Sequence, residues 1–269
     1  ANNWQLVHAD RETVPEGNVL LSLSHWQASG PTLSNHAGEV GLWLDSHEDE
    51  IIEAIAKKHD LKVIYDAAHC FGVTYKGKSV FSFGDVSTCS FHATKLFHTG
   101  EGGALFCNNK ELHDKLFYHH NFGHKTTETF HGLGINAKMS ELQAAMGLAV
   151  LPYMQDILKD RERVIKCYKE KLINLKFLRI REHTQWNHAY FPVIFNSEKD
   201  LLKAQKALQK EEIYPRRYFY PSLDTLPYIN EQYCENSRDI GTRILCLPLY
   251  FNLEEDKINH ISKLINSSL

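Results

Sequence analysis

The amino-acid sequence predicts an α/β fold, in which a large domain with a mostly parallel sheet precedes a small α+β domain. A helical pattern from Ser46 to about His59 is followed, after a short turn, by a strand pattern over Lys62–Asp66. This order of helix and strand is typical of parallel sheets. Beyond Leu172, short strands alternate with amphipathic helices, as in smaller α+β domains. A chain of 269 residues can bury the core of one large domain or of two modest ones.

The first 47 residues do not follow the pattern of the rest of the chain. Their recognisable features are strand-like runs at Trp4–Val7 and Val19–Leu23, a turn at Pro15–Asn18 and an apolar run at Gly41–Leu44. We interpret residues 1–47 as a separate N-terminal segment of a truncated or fused chain, with a junction near residues 47–50; the alternative is a divergent N-terminus of the same domain.

The predicted large domain covers residues 48–150. A capping-box-like pattern, Ser46-x-x-Asp49, starts its first helix, and the strand that follows is apolar and ends in the carboxylate of Asp66. The later elements are a strand from Ser87 to Phe91, a strand over Gly103–Cys107, a helix from Asn109 to Leu116, a helix from Met139 to Gly147, a break at Pro152 and a helix from about Tyr153 to Leu172.

The predicted small domain covers residues 151–269. Its elements are a strand over Tyr190–Phe195, a helix capped by Ser197 that reaches Glu211, a strand over Ile244–Leu249 and a last helix that starts at Asn252. Pro192 lies inside the first of these strands and indicates an edge strand or a bulge, because proline cannot donate a ladder hydrogen bond.

Charge and composition argue against several classes of function. The net charge is −3 with both signs interspersed, so we expect no nucleic-acid partner. The sequence has no run of 18 apolar residues and no secretion signal in its first 30 residues, which predicts a cytoplasmic protein without a membrane span. The six cysteines are scattered and the 16 histidines form no His-Glu-x-x-His pattern, so we expect reduced thiols and no metal site.

One lysine stands out chemically. Lys95 follows a strand and precedes a glycine-rich turn, and its apolar neighbours could desolvate the ammonium group, which lowers its pKa and favours an amine nucleophile. Most lysines in such a turn are solvated charges. Here, however, an upstream strand ends in Asp66, at the sheet edge where open α/β folds bind ligands. A lysine that binds the aldehyde and an aspartate that keeps the pyridine nitrogen protonated are the groups that pyridoxal phosphate (PLP) requires.

Four ordered runs resemble the sugar aminotransferases of the DegT/DnrJ/EryC1 family. They are Val63–His69, Ser90–Lys95, Glu101–Gly103 and Gly134–Gly147, and the resemblance covers about residues 48 to 269. It implies a PLP-dependent transferase of the aspartate aminotransferase-like type (fold type I) whose large domain is incomplete. Within the family, the run Phe91–His98 is similar to the dTDP-4-amino-4,6-dideoxyglucose transaminase subgroup.

The resemblance implies a cofactor-binding role for five residues. Lys95 would bind PLP covalently and then carry a proton as a general base and acid. Asp66 would pair with the pyridinium nitrogen, although an aspartate after a strand is commonly a cap. His69 would contact the phenolic oxygen, or it packs in the turn. Ser90 would bind the phosphate, or its hydroxyl bonds to the backbone. Asn136 would contact the phosphate of the neighbouring subunit from the head of its helix, or it is a turn residue ahead of that helix.

A second set of residues is a candidate for substrate binding. Arg216, Arg217 and Tyr218 form a basic and aromatic run, and arginine forks suit a diphosphate. A solvated basic turn is an equally good interpretation of this run.

The resemblance implies a homodimeric aminotransferase that moves an amino group from glutamate to a nucleotide-linked keto-deoxysugar, a dTDP-keto-6-deoxyhexose. The alternative is a catalytically impaired remnant that acts as a binding or scaffold protein. That alternative arises because residues 1–47 contain neither the phosphate-binding turn nor the ring-stacking aromatic residue that the family has there.

Overall fold

The computed structural model describes residues 5–6, 19–23, 48–229 and 233–269. The chain divides into two compact units, and the described residues up to Pro152 belong to the first and those from Tyr153 onward to the second. This division lies two residues beyond the expected domain boundary. The predicted turn at residues 15–18 and the apolar run at 41–44 lie outside the described residues.

The first unit contains seven strands and three α-helices among its described residues. They are β1 Gln5–Leu6, β2 Val19–Leu23, α1 Glu48–Lys58, β3 Lys62–Asp66, β4 Thr74–Tyr75, β5 Lys78–Ser79, β6 Val86–Ser90, β7 Gly103–Phe106, α2 Lys110–His120 and α3 Glu141–Val150. Two short 3-10 turns cover Val80–Ser82 and Leu151–Tyr153.

The main sheet of the first unit has the strand order β1-β2-β3-β6-β7. The first four strands are parallel and β7 is antiparallel to β6, which confirms the prediction of a mostly parallel sheet. The described strands of the N-terminal segment are part of this sheet, since β2 pairs with β3 from Leu20↔Lys62 to Leu23↔Tyr65. Alternate residues of β3, Val63 and Tyr65, are buried in the core of the unit.

The helix ends of the first unit follow their capping residues. The helix predicted from Asn109 begins one residue later, at Lys110, because Asn109 is its cap and accepts a hydrogen bond from the Leu112 amide at 2.9 Å. The predicted start of α3 at Met139 is wrong, because Ser140 forms a capping box with Gln143 and the helix begins at Glu141. In that box the Ser140 amide donates to the Gln143 side chain at 2.8 Å.

The second unit contains α4 and three further helices packed on a small sheet. Its described elements are α4 Met154–Lys171, β8 Lys176–Phe177, β9 Thr184–Gln185, β10 Pro192–Ile194, α5 Glu198–Gln209, a 3-10 turn at Leu223–Thr225, α6 Glu235–Arg243, β11 Ile244–Cys246 and α7 Glu255–Asn266. The largest buried side chains of the core come from β11, from α4, α5 and α7 and from residues next to β10 and before α7: Tyr168, Phe191, Phe195, Leu201, Leu208, Leu245, Leu253, Ile258 and Ile265.

Two predictions for the second unit are wrong. β10 is the central strand of the order β11-β10-β8, not an edge strand. Pro192 is tolerated there because it is the first residue of β10, and the pairing with β8 begins only at Val193. The last helix does not start at Asn252, which has a positive φ of 61° and lies before the helix.

Candidate active site

Two of the predicted cofactor ligands lie at the ends of neighbouring parallel strands. Asp66 is the last residue of β3 and pairs with Thr88, and Ser90 is the last residue of β6. The pairing continues past the strand ends, because the Ala67 amide donates to the Thr88 carbonyl at 3.0 Å and the Ser90 amide to the Ala68 carbonyl at 3.4 Å. Both side chains therefore belong to the carboxyl edge of the sheet, where such folds bind ligands.

The side chains of Asp66 and Ser90 each accept one hydrogen bond from a nearby backbone amide. Oδ1 of Asp66 accepts from the Ala68 amide at 3.1 Å, which orders the turn after β3. Oγ of Ser90 accepts from the His92 amide at 3.3 Å. These contacts agree with the alternatives given above, in which Asp66 caps the turn and the Ser90 hydroxyl bonds to the backbone. The cofactor-binding roles of both residues stay predictions.

The Lys95 amine meets His69 at this edge. Nζ of Lys95 lies 2.5 Å from Nε2 of His69, and the Lys95 amide donates to the His92 carbonyl at 2.9 Å. Lys95 and His69 are both half-buried. The imidazole can accept a hydrogen bond from the amine when its own proton is on Nδ1.

Burial shifts the pKa of both groups in the direction that removes charge. Desolvation lowers the pKa of Lys95, and the nearby Asp66 and Cys89 oppose that shift. Desolvation, together with the charge of Lys95, lowers the pKa of His69 to about 4. His69 is therefore neutral at pH 7, and a larger fraction of Lys95 than of an exposed lysine is an unprotonated amine.

The glycines of the Glu101–Gly103 run are required by close approaches. Gly102 has a φ of 150°, and a Cβ atom there would lie 2.5 Å from Oγ1 of Thr99. A Cβ atom on Gly103 would lie 2.8 Å from the carbonyl oxygen of Cys89 on the neighbouring strand. Side chains at these positions would displace the loop that carries Lys95.

Asn136 does not occupy the predicted position at the head of a helix. It is exposed, four residues before the capping Ser140, and forms an isolated bridge with Asn121. Its Oδ1 atom accepts from Nζ of Lys138 at 2.9 Å. Ser140 provides the cap because its hydroxyl and Gln143 satisfy the first amides of α3.

The predicted substrate-binding residues belong to the second unit and have different surroundings. Arg216 is exposed, with its guanidinium carbon 5.5 Å from the centre of the Tyr218 ring. Arg217 is held inside the unit, since it donates to Oε1 of Glu198 at 2.8 Å and to the Thr242 carbonyl at 2.7 Å.

Sequence reasoning missed an aromatic contact beside the lysine. The rings of Phe71 and Phe97 are stacked, with centroids 4.3 Å apart and an interplanar angle of 14°. The sequence feature that could have indicated this contact is the spacing, because each phenylalanine follows a candidate site residue, His69 or Lys95, by two positions.

Neither a membrane span nor a metal cluster is found in the described part of the chain. The helices described there are too short or too polar to cross a bilayer. No three His, Cys, Asp or Glu side chains of residues 48–229 and 233–269 are grouped so that they could hold a metal ion.

Solved structures with the same fold are aminotransferases. The chain matches DesI, solved in the presence of its TDP-sugar product, with a TM-score of 0.77 and 26% identity over 95% of this chain and 63% of DesI. The protein therefore has the fold of the fold type I PLP-dependent transferases. Residues 45–266 match the model of the DegT/DnrJ/EryC1/StrS aminotransferase family, and the chain belongs to that family.

Two sequence relatives indicate which aminotransferases this chain is similar to. A dTDP-4-amino-4,6-dideoxy-D-glucose transaminase from Shigella dysenteriae is 39% identical over 80% of this chain, and a GDP-perosamine synthase from Escherichia coli O157:H7 is 31% identical over 81%. The matched part of this chain spans 61% of the length of each relative.

Proposed function

We propose that the protein is a PLP-dependent aminotransferase that moves an amino group from glutamate to a nucleotide-linked keto-deoxysugar of the dTDP-keto-6-deoxyhexose class. The observation that carries this proposal is the half-buried Lys95 amine with a lowered pKa, 2.5 Å from His69. The names of the relatives, which act in 4-amino-4,6-dideoxyglucose and perosamine synthesis, support the substrate class. A cytoplasmic location is part of the same proposal.

The donor set of the site fits PLP. An amine that loses its proton readily is the group that binds an aldehyde, and Lys95 has this property because it is desolvated. Asp66 acts electrostatically on Lys95, so a carboxylate lies close to the amine and would hold the pyridinium proton. His69 would contact the phenolic oxygen and Ser90 the phosphate. When bound, PLP supplies an electron sink for the α-carbon of the amino donor.

Lys95 would do the proton transfer of the reaction. Once freed, Nζ would take the proton from the α-carbon of glutamate and deliver it to the cofactor, and in the second half-reaction it would carry a proton from the cofactor to the sugar carbon that receives the amino group. Neutral His69 accepts a hydrogen bond from Nζ and keeps the amine at the carboxyl edge of the sheet. Asp66 supplies the fixed negative charge that favours the protonated ring.

The diphosphate of the nucleotide sugar would bind to the second unit. Arg216 is exposed, and its guanidinium fork suits phosphate oxygens. Arg217 would take part only by exchanging its contact with Glu198 for the substrate. Tyr218 lies against Arg216 and would pack on the sugar or base.

A homodimer belongs to the proposal, with Asn136 reaching the phosphate bound by the partner subunit. The segment around Asn136 supports an interface, because Leu133 and Ile135 are 89% and 67% exposed although both are apolar. Leu142 and Leu148 of α3 are similarly exposed, at 84% and 71%.

The proposed function is tested by its first half-reaction. The protein is incubated with PLP and labelled glutamate, and the release of 2-oxoglutarate is measured before a dTDP-4-keto-6-deoxyhexose is added. We expect one equivalent of 2-oxoglutarate per site without the sugar and continued release with it. The Lys95→Ala variant should release none, whereas Lys110→Ala, which changes an exposed lysine of the same unit, should behave like the parent. If the parent protein releases no 2-oxoglutarate, the proposed aminotransferase function is wrong and the scaffold interpretation replaces it.

A further inference from the structure

Lys95 is carried by a closed loop outside any helix or strand. The loop spans residues 91–102 and is closed at its base by backbone hydrogen bonds from Phe91 to Gly102, at 2.8 Å, and from Thr99 to Phe91, at 2.9 Å. These bonds fix the two ends of the loop. The position of the Lys95 amine relative to His69 therefore depends on what the body of the loop packs against.

The loop packs on the segment after β3 through phenylalanine rings. Phe97 is buried and stacks on Phe71, and the Phe91 ring is perpendicular to Phe97 with centroids 5.0 Å apart. Phe71 follows His69 by two residues and Phe97 follows Lys95 by two. The stack and the reactive pair thus connect the same two segments of the chain.

Helix α3 prevents the Phe97 ring from retreating. A Cβ atom on Gly147 would lie 3.4 Å from the Phe97 ring and 2.9 Å from Cγ2 of Thr99. Thr99 is itself buried, and its hydroxyl donates to the Glu101 carbonyl at 2.6 Å. Phe97 is confined between α3 and Phe71, so a change at either ring should move the loop and not only the ring.

We propose that the Phe71–Phe97 stack is the positioning device that sets the distance between Lys95 and His69. Neither ring is a catalytic residue, and both act through the amine and the imidazole. The inference deepens the proposed function. It rests on that function only for the claim that the Lys95 amine takes part in the reaction. The contact geometry itself requires no cofactor.

The test measures the two titrating groups in the chain without PLP. The pKa of His69 and that of Lys95 are followed by NMR of the side-chain nitrogens, with His69→Gln and Lys95→Arg used for assignment. Asp66 and Cys89 also act on Lys95, and they stay in place in every variant. In Phe97→Leu and in Phe71→Leu, we expect the His69 pKa to rise from about 4 by at least about one unit, because burial and the charge of Lys95 both lower it and a displaced loop weakens both effects.

Two comparison variants separate positioning from general loosening. Phe81→Leu removes a similar stack in the same unit, that of Phe81 and Phe106 at 4.2 Å and 10°, and should leave both pKa values unchanged. Phe71→Tyr keeps the ring at the half-buried position of the stack and should keep the parent pKa values. If Phe97→Leu does not fold, Phe97→Met, which keeps most of the volume without a ring, takes its place.

The inference is overturned if the folded Phe97 and Phe71 variants keep the parent pKa values, or if Phe81→Leu shifts them equally. Because no PLP is present, these outcomes do not depend on whether the protein binds the cofactor. A second measurement connects the positioning role with the proposed function: the rate of PLP binding to Lys95 at pH 7 should fall about tenfold in Phe97→Leu and stay at the parent value in Phe71→Tyr. Unchanged pKa values with a slower rate would contradict the positioning role.

Discussion

Nζ of Lys95 and Nε2 of His69 lie 2.5 Å apart, although the residues are 26 positions apart in the chain. Two basic nitrogens at this distance disfavour a doubly protonated state, and burial acts in the same direction on both. The pair therefore holds fewer than two protons at neutral pH. The imidazole can therefore accept the hydrogen bond of Nζ, and the lowered pKa of Lys95 increases the fraction of its amine that is unprotonated and nucleophilic.

The lowered pKa of His69 predicts a pH-dependent stability of the first unit. The folded-state pKa is about 4 and the ordinary value is 6.5, so the unfolded chain binds the proton more readily between these pH values. The free energy of unfolding contributed by His69 is full above pH 6.5 and falls as the pH decreases, by up to about 3 kcal/mol at pH 4. Urea unfolding measured from pH 7.5 to 4 would show this slope.

His69→Gln should remove that part of the slope. His59→Gln changes an exposed histidine of the same unit and should leave the slope as in the parent. Equal slopes in the parent and in His69→Gln would contradict the burial of a neutral imidazole at this position.

The Asp66→Asn substitution separates two roles of Asp66, pairing with the pyridinium nitrogen and ordering the turn after β3. The amide oxygen can still accept from the Ala68 amide, so the turn after β3 and the fold should be kept. Without the negative charge, single-turnover transfer from glutamate should slow by at least about 100-fold, which corresponds to about 2.7 kcal/mol in the barrier, while PLP still binds. A near-parent rate measured by rapid mixing would show that Asp66 only orders the turn.

Arg161 stabilises the second unit by binding three backbone carbonyls. Its guanidinium donates to the carbonyls of His188 at 2.8 Å, Ala189 at 2.6 Å and Leu249 at 3.0 Å, and burial lowers its pKa to about 10. Lysine has one nitrogen and cannot reach all three, so Arg161→Lys should lower the free energy of unfolding by about 2–4 kcal/mol.

The matched substitution for Arg161→Lys is Arg163→Lys on the same helix. The Arg163 side chain is 48% exposed, is paired with Asp160 and donates to one backbone carbonyl, that of Leu253 at 2.9 Å, so its replacement should cost about 1 kcal/mol in chemical denaturation, less than that of Arg161 with its three carbonyls. Similar losses for the two variants would refute the role given to Arg161.

Much of the fold follows from local signals in the sequence. The αβ order around Lys62–Asp66 predicts the parallel sheet, and the helical pattern from Asn109 predicts α2 to within one residue of its start. The errors come from tertiary context. Pro192 suggests an edge strand, but its missing amide matters only on the side where β8 has not yet begun to pair.

The candidate site is only partly readable from the sequence. The family resemblance predicts that Asp66, His69 and Lys95 share one site; Nζ of Lys95 lies 2.5 Å from Nε2 of His69, and the charge of Asp66 acts to raise the pKa of Lys95. The confinement of Phe97 by Gly147 cannot be predicted from spacing, because it depends on how α3 packs on the loop. The cofactor roles of Ser90 and Asn136 and the substrate roles of Arg216, Arg217 and Tyr218 stay predictions.

The central claim is that Lys95 is the amine that binds PLP, and reductive trapping tests it most directly. The protein is incubated with PLP, treated with borohydride, digested and analysed by mass spectrometry. The account predicts a pyridoxyl phosphate label on the peptide that contains Lys95, at one equivalent per chain, and its loss in a Lys95→Ala variant that unfolds at the same urea concentration as the parent. A label spread over exposed lysines such as Lys110, or one that persists in Lys95→Ala, would contradict it.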